Sequence, residues 1–264
     1  MPRRLFALFC LALTLGLAAP ARAETEVDLE LVLSVDISYS MDPEEQQLQR
    51  MGYVDGLLSR EVIDAIAAGL NGRIAVTYVE WAGAFEQRVI VPWTLIDGRD
   101  AARGFTDLLA EAPIRRAYRT SIASALDYAA PLFDRNGFDG ARKVIDVSGD
   151  GANNQGRTVT VARDDVLARG IVINGLPIQL KRPTRGMDIV NLDDYYRECV
   201  IGGPNAFVVP VKDRDGFADA IRKKLVLEIA GAEPLHMLVR PANIGPPVDC
   251  LIGEKLWQER DWLR

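Results

Sequence analysis

One histidine, His236, serves the whole chain, and it stands in the C-terminal tail. The sequence has no Gly-x-Ser-x-Gly elbow, no Gly-x-Gly-x-x-Gly and no phosphate-binding P-loop. A serine hydrolase and a nucleotide-binding enzyme therefore lack their usual machinery. Positive charge is also scarce. Lys and Arg total 31 against 37 Asp and Glu, a net of −6. That balance argues against nucleic acid as the main partner, because phosphate contacts need a basic surface. Cysteines number three, Cys10, Cys199 and Cys250. Beyond the first 23 residues no stretch is long and apolar enough to span a bilayer. There is no internal repeat and no low-complexity tract.

The first 23 residues form a separate unit. Arg3 and Arg4 precede the apolar run Leu5 to Leu17, and Ala21-Arg22-Ala23 follows. A charged start, a short apolar centre and an Ala-x-Ala end predict a signal peptide cut near Ala23, with a soluble, periplasmic or secreted product. Without its three arginines the chain holds 28 basic and 37 acidic residues, a net of −9. Cys10 leaves with the signal. Cys199 and Cys250 then form an even pair that an oxidising compartment can join, or two buried thiols.

Strand and helix patterns alternate from Val27 to Gly231, which predicts an α/β fold. Ile74 to Trp81 reads as a strand rich in β-branched and aromatic residues, and Gln87 to Val91 as a short antiparallel edge strand. Asp42, Pro43 and Glu45 make a capping box for a helix striped by Leu48, Met51, Val54 and Leu58. Ile63, Ile66 and Leu70 mark a second helix. Later strands are expected at Arg142–Ser148, Ile171–Ile178 and Ala206–Val211. A helix capped by Asp213 carries Phe217, Ile221, Leu225 and Ile229, and Gly231 stops it. The sheet is expected to be doubly wound and mainly parallel, with one antiparallel edge strand and helices on both faces. Three units follow: a signal peptide (1–23), a main domain (24–231) and a C-terminal tail packed on it (232–264). The tail is expected to hold a short helix near Glu254 to Trp262.

The chemistry concentrates around Leu31 to Ser40. An apolar run there ends in Asp36, Ser38 and Ser40, three oxygen side chains at alternate positions. In extended backbone these share one side. They are hard ligands for a small divalent cation such as Mg²⁺, or else they belong to a polar loop whose serines cap the next helix. Sites in a doubly wound sheet form beyond the carboxyl ends of strands. Two more segments are expected there, Tyr118-Arg119-Thr120-Ser121 and Ser148-Gly149-Asp150-Gly151. Together the three offer two carboxylates and several hydroxyls.

In order and spacing these motifs resemble the von Willebrand factor type A (vWA) family with its metal-ion-dependent adhesion site, specifically a bacterial exported subgroup of unknown function. That family's site uses Asp-x-Ser-x-Ser, a Thr ahead of a helix, and an Asp in an Asp-Gly turn. The resemblance implies metal ligation by Asp36, Ser38, Ser40, Thr120 and Asp150. It implies Mg²⁺ or Mn²⁺ as the cofactor and an unknown protein partner that offers an acidic side chain. It implies no catalysis. Two departures stand out: Ser-Gly-Asp-Gly replaces the usual Thr-Asp-Gly, and Arg119 stands where many members have Gly. Around the ligands, Asp146, Ser148, Arg119 and Asn153 are candidates for a supporting shell or ligand rim. Asp146 can instead be a paired structural carboxylate, the Arg115, Arg116 and Arg119 loop can simply be solvated, and Trp257 and Trp262 are expected to pack.

Two other functions compete. A Mg²⁺-dependent hydrolase or phosphatase would use Asp36 as nucleophile, but it needs a second Asp where Ser38 stands. A structural domain with a vestigial metal site is the other.

Overall fold

The computed structural model describes residues 23–180, 189–231 and 248–262. Residues 1–22 of the predicted signal peptide, residues 181–187 and His236 lie outside the described residues. In chain order the elements are β1 (Thr25–Val27), β2 (Leu29–Asp36), α1 (Pro43–Leu58), α2 (Arg60–Ala67), β3 (Ile74–Trp81), β4 (Gln87–Ile96), α3 (Arg99–Glu111), α4 (Ile122–Ala129), β5 (Phe138–Gly140), β6 (Lys143–Gly149), α5 (Val159–Ala168), β7 (Val172–Pro177), α6 (Leu192–Tyr195), α7 (Phe217–Ala230) and α8 (Ile252–Trp262). A 3₁₀ turn, Ala130–Phe133, extends α4, and a π turn, Tyr196–Val200, extends α6.

The central sheet runs β4-β3-β2-β6-β7, and β1 pairs separately with β5. All central pairs are parallel except β3 with β4. β2 and β3 are buried along their whole length. Helices cover both faces, so such strands lose their polar side, which is why they read as apolar runs. One core layer holds Leu31, Leu33, Tyr53, Phe105, Ile221 and Leu225, under α1, α2, α3 and α7. The other holds Val32, Val79, Trp81, Leu126, Val166 and Tyr195, under α4, α5 and α6.

The capping box at Asp42 and Glu45 forms in both directions. Four expectations need correction. β4 runs on through Pro92 to Ile96. Its pairing with β3 slips between Val76 and Tyr78, and Pro92 sits in that bulge on an edge strand, where its missing N–H costs no ladder bond. Leu70 is 97% exposed, because α2 ends at Ala67. Residues 206–211 run beside β7 but form only isolated bridges. Gly175 donates to Phe207 and accepts from Val209, while Pro177 accepts from Val211 but has no N–H to return. Finally, α7 begins at Phe217 behind Gly216, and Asp213 accepts from the Gly216 amide just ahead of it.

The helix stripes were only half legible. On α1 the fully buried residues include Gln46, Gln49, Arg50, Tyr53 and Leu57, whereas Leu48, Met51 and Leu58 are partly buried. Gly52 and Gly56 bring α7 close: a Cβ at these positions would lie 2.5 Å from Ile221 Cδ1 and 2.9 Å from Leu225 Cδ1. Several of the buried polar groups are paired. Arg50 pairs with Glu80, Gln49 Nε2 donates to Ser148 Oγ at 2.9 Å, and Lys224 of α7 reaches Asp146 at 2.6 Å and also Glu228.

Burial, then the charge of Asp146, raises the Glu228 pKa from an ordinary 4.5 to about 7, against the pull of Lys224. The folded protein therefore holds a proton that the unfolded chain releases between these values. This group's contribution to stability is complete below about pH 4.5 and is lost as pH rises through 7. The loss is up to about 3 kcal/mol at about 1.4 kcal/mol per unit. Urea denaturation from pH 5 to 8 should show stability falling in the wild type and falling less steeply in Glu228→Gln. Parallel profiles would mean Glu228 is not the group that titrates.

Candidate metal centre

β2 ends at the top of the sheet, between β3 and β6. Ile37 N donates to Trp81 O at 2.8 Å, which continues the strand for one residue. The chain then turns: Ser38 N donates to Asp36 Oδ1 at 2.7 Å. Tyr39 N and Ala117 O, and Ala117 N and Ile37 O, tie this turn to the loop before α4. An oxygen chain follows. Ser38 Oγ lies 2.7 Å from Ser40 Oγ, and Ser40 Oγ donates to Asp150 Oδ1 at 2.6 Å. Thr120 is buried, and its Oγ1 lies 3.6 Å from where a Gly151 Cβ would stand. The five sequence-predicted ligand residues thus converge from three loops.

Asp36 is fully buried, and its Oδ2 has no hydrogen-bond partner. Burial first, and then the charge of Asp150, holds its carboxyl well above the ordinary range, against two bonds from Ser38 and one from the Asp150 backbone. Two carboxylates with hydroxyls between them and an unsatisfied buried oxygen make a donor set that a hard divalent cation fits. Among the described residues no group of three or more His, Cys, Asp or Glu offers an alternative metal cluster.

The supporting residues divide. Asp146 faces α1 and α7, where it pairs with Lys224 and accepts from Tyr53 at 3.3 Å. Ser148 faces the same way and accepts from Gln49. Asn153 is a buried junction: its Oδ1 accepts from Ala123 N in the first turn of α4, and its Nδ2 donates to Arg157 O and to Glu254 Oε1 of α8. Thr120 N donates to Asn154 Oδ1 at 3.0 Å, and Asn154 N donates to Thr120 O at 2.8 Å, which joins two of the three loops. Arg116 bonds Tyr39 O, and Arg115 lies 3.9 Å from Glu86.

Both sequence departures have a physical account. Arg119 has φ of 75°, the left-handed region where Gly is favoured. Here Arg holds that conformation, with its guanidinium 3.4 Å from the centre of the Trp257 ring. Gly149 leaves room for two groups: a Cβ there would lie 2.9 Å from both Asp36 Oδ2 and Tyr196 Oη. Tyr196 is buried beneath the site, and nothing local in the sequence ties it to Asp36, which is 160 residues away. The tail also contributes. Cys199 and Cys250 are joined, with Cα atoms 5.5 Å apart. Trp257 lines the cleft above the site instead of packing wholly inside the protein. The side chain of Trp262 lies outside the described residues.

The fold is vWA-like. Residues 26–233 match the family described as "Protein of unknown function (DUF1194)", and the chain belongs to that family. Among solved structures it is similar to proximal thread matrix protein 1 from the mussel byssus with a zinc-occupied MIDAS motif, at 17% identity and a TM-score of 0.58, covering 78% of this chain and 49% of that one. It is also similar to the pilus adhesin SpaC from Lactobacillus rhamnosus GG in an open conformation, at 13% and 0.56, covering 78% and 31%. A von Willebrand factor type A structure from Catenulispora acidiphila matches at 14% and 0.52, covering 77% and 43%. The chain thus spans half or less of each of these proteins. No curated protein matches it.

Gly149→Ala should destabilise the protein by about 1–3 kcal/mol through overpacking under Asp36. Tyr196→Phe removes one of the two clashing oxygens, so the double variant should recover part of that loss. A double-mutant cycle in urea reads the coupling. Strictly additive costs would show that the tyrosine does not occupy the space Gly149 leaves.

Proposed function

We propose that the protein is an exported, metal-dependent protein-binding module of the adhesion or scaffold kind. Asp36, Ser38, Ser40, Thr120 and Asp150 are its ligand residues, and Mg²⁺ or Mn²⁺ is its cation. The observation that carries the reading is the buried, unpartnered Oδ2 of Asp36 at the start of the Ser38–Ser40–Asp150 oxygen chain. When bound, the cation would supply a Lewis-acidic position for a carboxylate oxygen of the partner. The two carboxylates only balance the two charges of the cation, and with three hydroxyls they make five protein donors, so an octahedral cation keeps one position open for the partner's oxygen. A relative whose MIDAS holds zinc and another that is a pilus adhesin support the same class of function. The disulfide suits an oxidising compartment outside the cytoplasm. Among the described residues no helix is long and apolar enough to cross a membrane. Residues 1–23 would direct export, 24–231 would form the vWA-like unit, and 232–264 would pack on it.

Calorimetric titration of the protein with Mg²⁺ and Mn²⁺ should give one site, and saturating metal should raise the melting temperature. Asp36→Ala should abolish both effects. An affinity unchanged in Asp36→Ala would sink the assignment.

A further inference from the structure

A cleft of about 450 Å³ opens above the candidate metal centre. One side is the donor set with Tyr39 and Tyr118, whose ring centres are 4.3 Å apart. The other side comes from α8, through Gly253, Trp257 and Arg260. This wall is anchored at several points. Cys250 ties it to Cys199, Glu254 accepts from Asn153, and Gly253 lies so close that a Cβ would stand 2.1 Å from Asn153 O. Trp257 has Arg119 at 3.4 Å and Arg260 at 5.1 Å from its ring centre. Among the described residues neither guanidinium is in an ion pair with a carboxylate. Arg119 is also held in a backbone conformation that costs free energy, and such strain concentrates at functional positions.

Two arginines thus lie against one tryptophan and line the cleft. Guanidinium groups match carboxylates in flat, two-point geometry, and stacking on the ring fixes their orientation. Resting on the function proposed above, we propose that Arg119, Trp257 and Arg260 form a second acidic-group subsite beside the metal position. The partner would then be an acidic polypeptide segment with two carboxylates, one for the metal and one for this arginine pair. The exposed Tyr39 and Tyr118 rings line the same cleft, where an apolar side chain of the segment can lie. The net charge of −6 disfavours polyanions such as nucleic acid, whereas a short acidic segment meets the cations locally.

The test is selection of a random heptapeptide display library on the purified protein in Mg²⁺, with elution by EDTA. Selected peptides should carry two acidic residues. In a synthetic copy of the best one, changing the second acid to its amide should weaken binding about tenfold. Arg260→Ala should lower affinity for the diacidic peptide about as much, leave Mg²⁺ affinity unchanged, and make the amide change silent. Arg260→Glu should select peptides with one acidic and one basic residue. Selected peptides with a single acid, a library with no enrichment, or equal effects of the amide change in wild type and Arg260→Ala would overturn the subsite. Free glutarate or citrate displacing the peptide at micromolar concentration would also overturn it, in favour of a small-acid ligand. If EDTA-dependent binding of single-acid peptides persists, only this subsite falls. If wild type binds no Mg²⁺, the metal-dependent reading falls and takes the subsite with it.

Discussion

The Asp36 carboxylate is taken out of water by the same packing that makes β2 the central strand, and much of the upper face answers to that fact. Burial and the neighbouring Asp150 both disfavour its charge, while the turn amide of Ser38 favours it. Gly149 has no side chain, and a Cβ there would crowd Oδ2 at 2.9 Å. Ser38 and Ser40 relay hydrogen bonds from the end of β2 to Asp150 on the loop after β6. Thr120 is fixed by the reciprocal bonds with Asn154. The loops are thereby organised around an oxygen that the protein itself leaves unsatisfied, an arrangement that costs free energy in the absence of a counter-charge.

Beneath this face lies a second polar layer. Gln49 and Tyr53 of α1 meet Ser148 and Asp146 of β6, and Lys224 and Glu228 of α7 close the same group. Asn174 of β7 donates to Glu228 at 3.2 Å and accepts from Phe207 N. Buried ionic groups of this kind add little stability over an apolar replacement, yet removing one partner strands the others. They also fix geometry: α1 and α7 approach at Gly52 and Gly56 and can sit in few registers that keep these contacts.

What could be read from the sequence was what depends on neighbours in the chain. The apolar run ending in Asp36, the box at Asp42 and Glu45, the stop at Gly231 and the order of the three loops are local patterns, and the fold follows from them. Features that depend on distant partners were not legible. The stripe Leu48-Met51-Val54-Leu58 marked only part of the buried face of α1: Val54 is in the core and the other three pack partly against it, while the same helix also buries Gln49 and Arg50, whose partners lie on β6 and β3. The strand expected at 206–211 is broken by Pro177, a residue of its neighbour. Arg119 and Gly149 were visible as departures from a motif, but their causes, Trp257 and Tyr196, lie far along the chain.

The Cys199–Cys250 bond closes a covalent ring of chain that contains the whole of α7. The end of that ring returns to the upper face, because α8 begins two residues after Cys250 and docks on Asn153. The ring thus offers two mechanical paths from the C-terminal side to the body, a short one through the disulfide and a long one through α7. Tension applied to α8 would pass through the disulfide, from Cys250 into the turn that carries Tyr196 and Cys199, and so would be felt at the rim of the cleft and near Asp36.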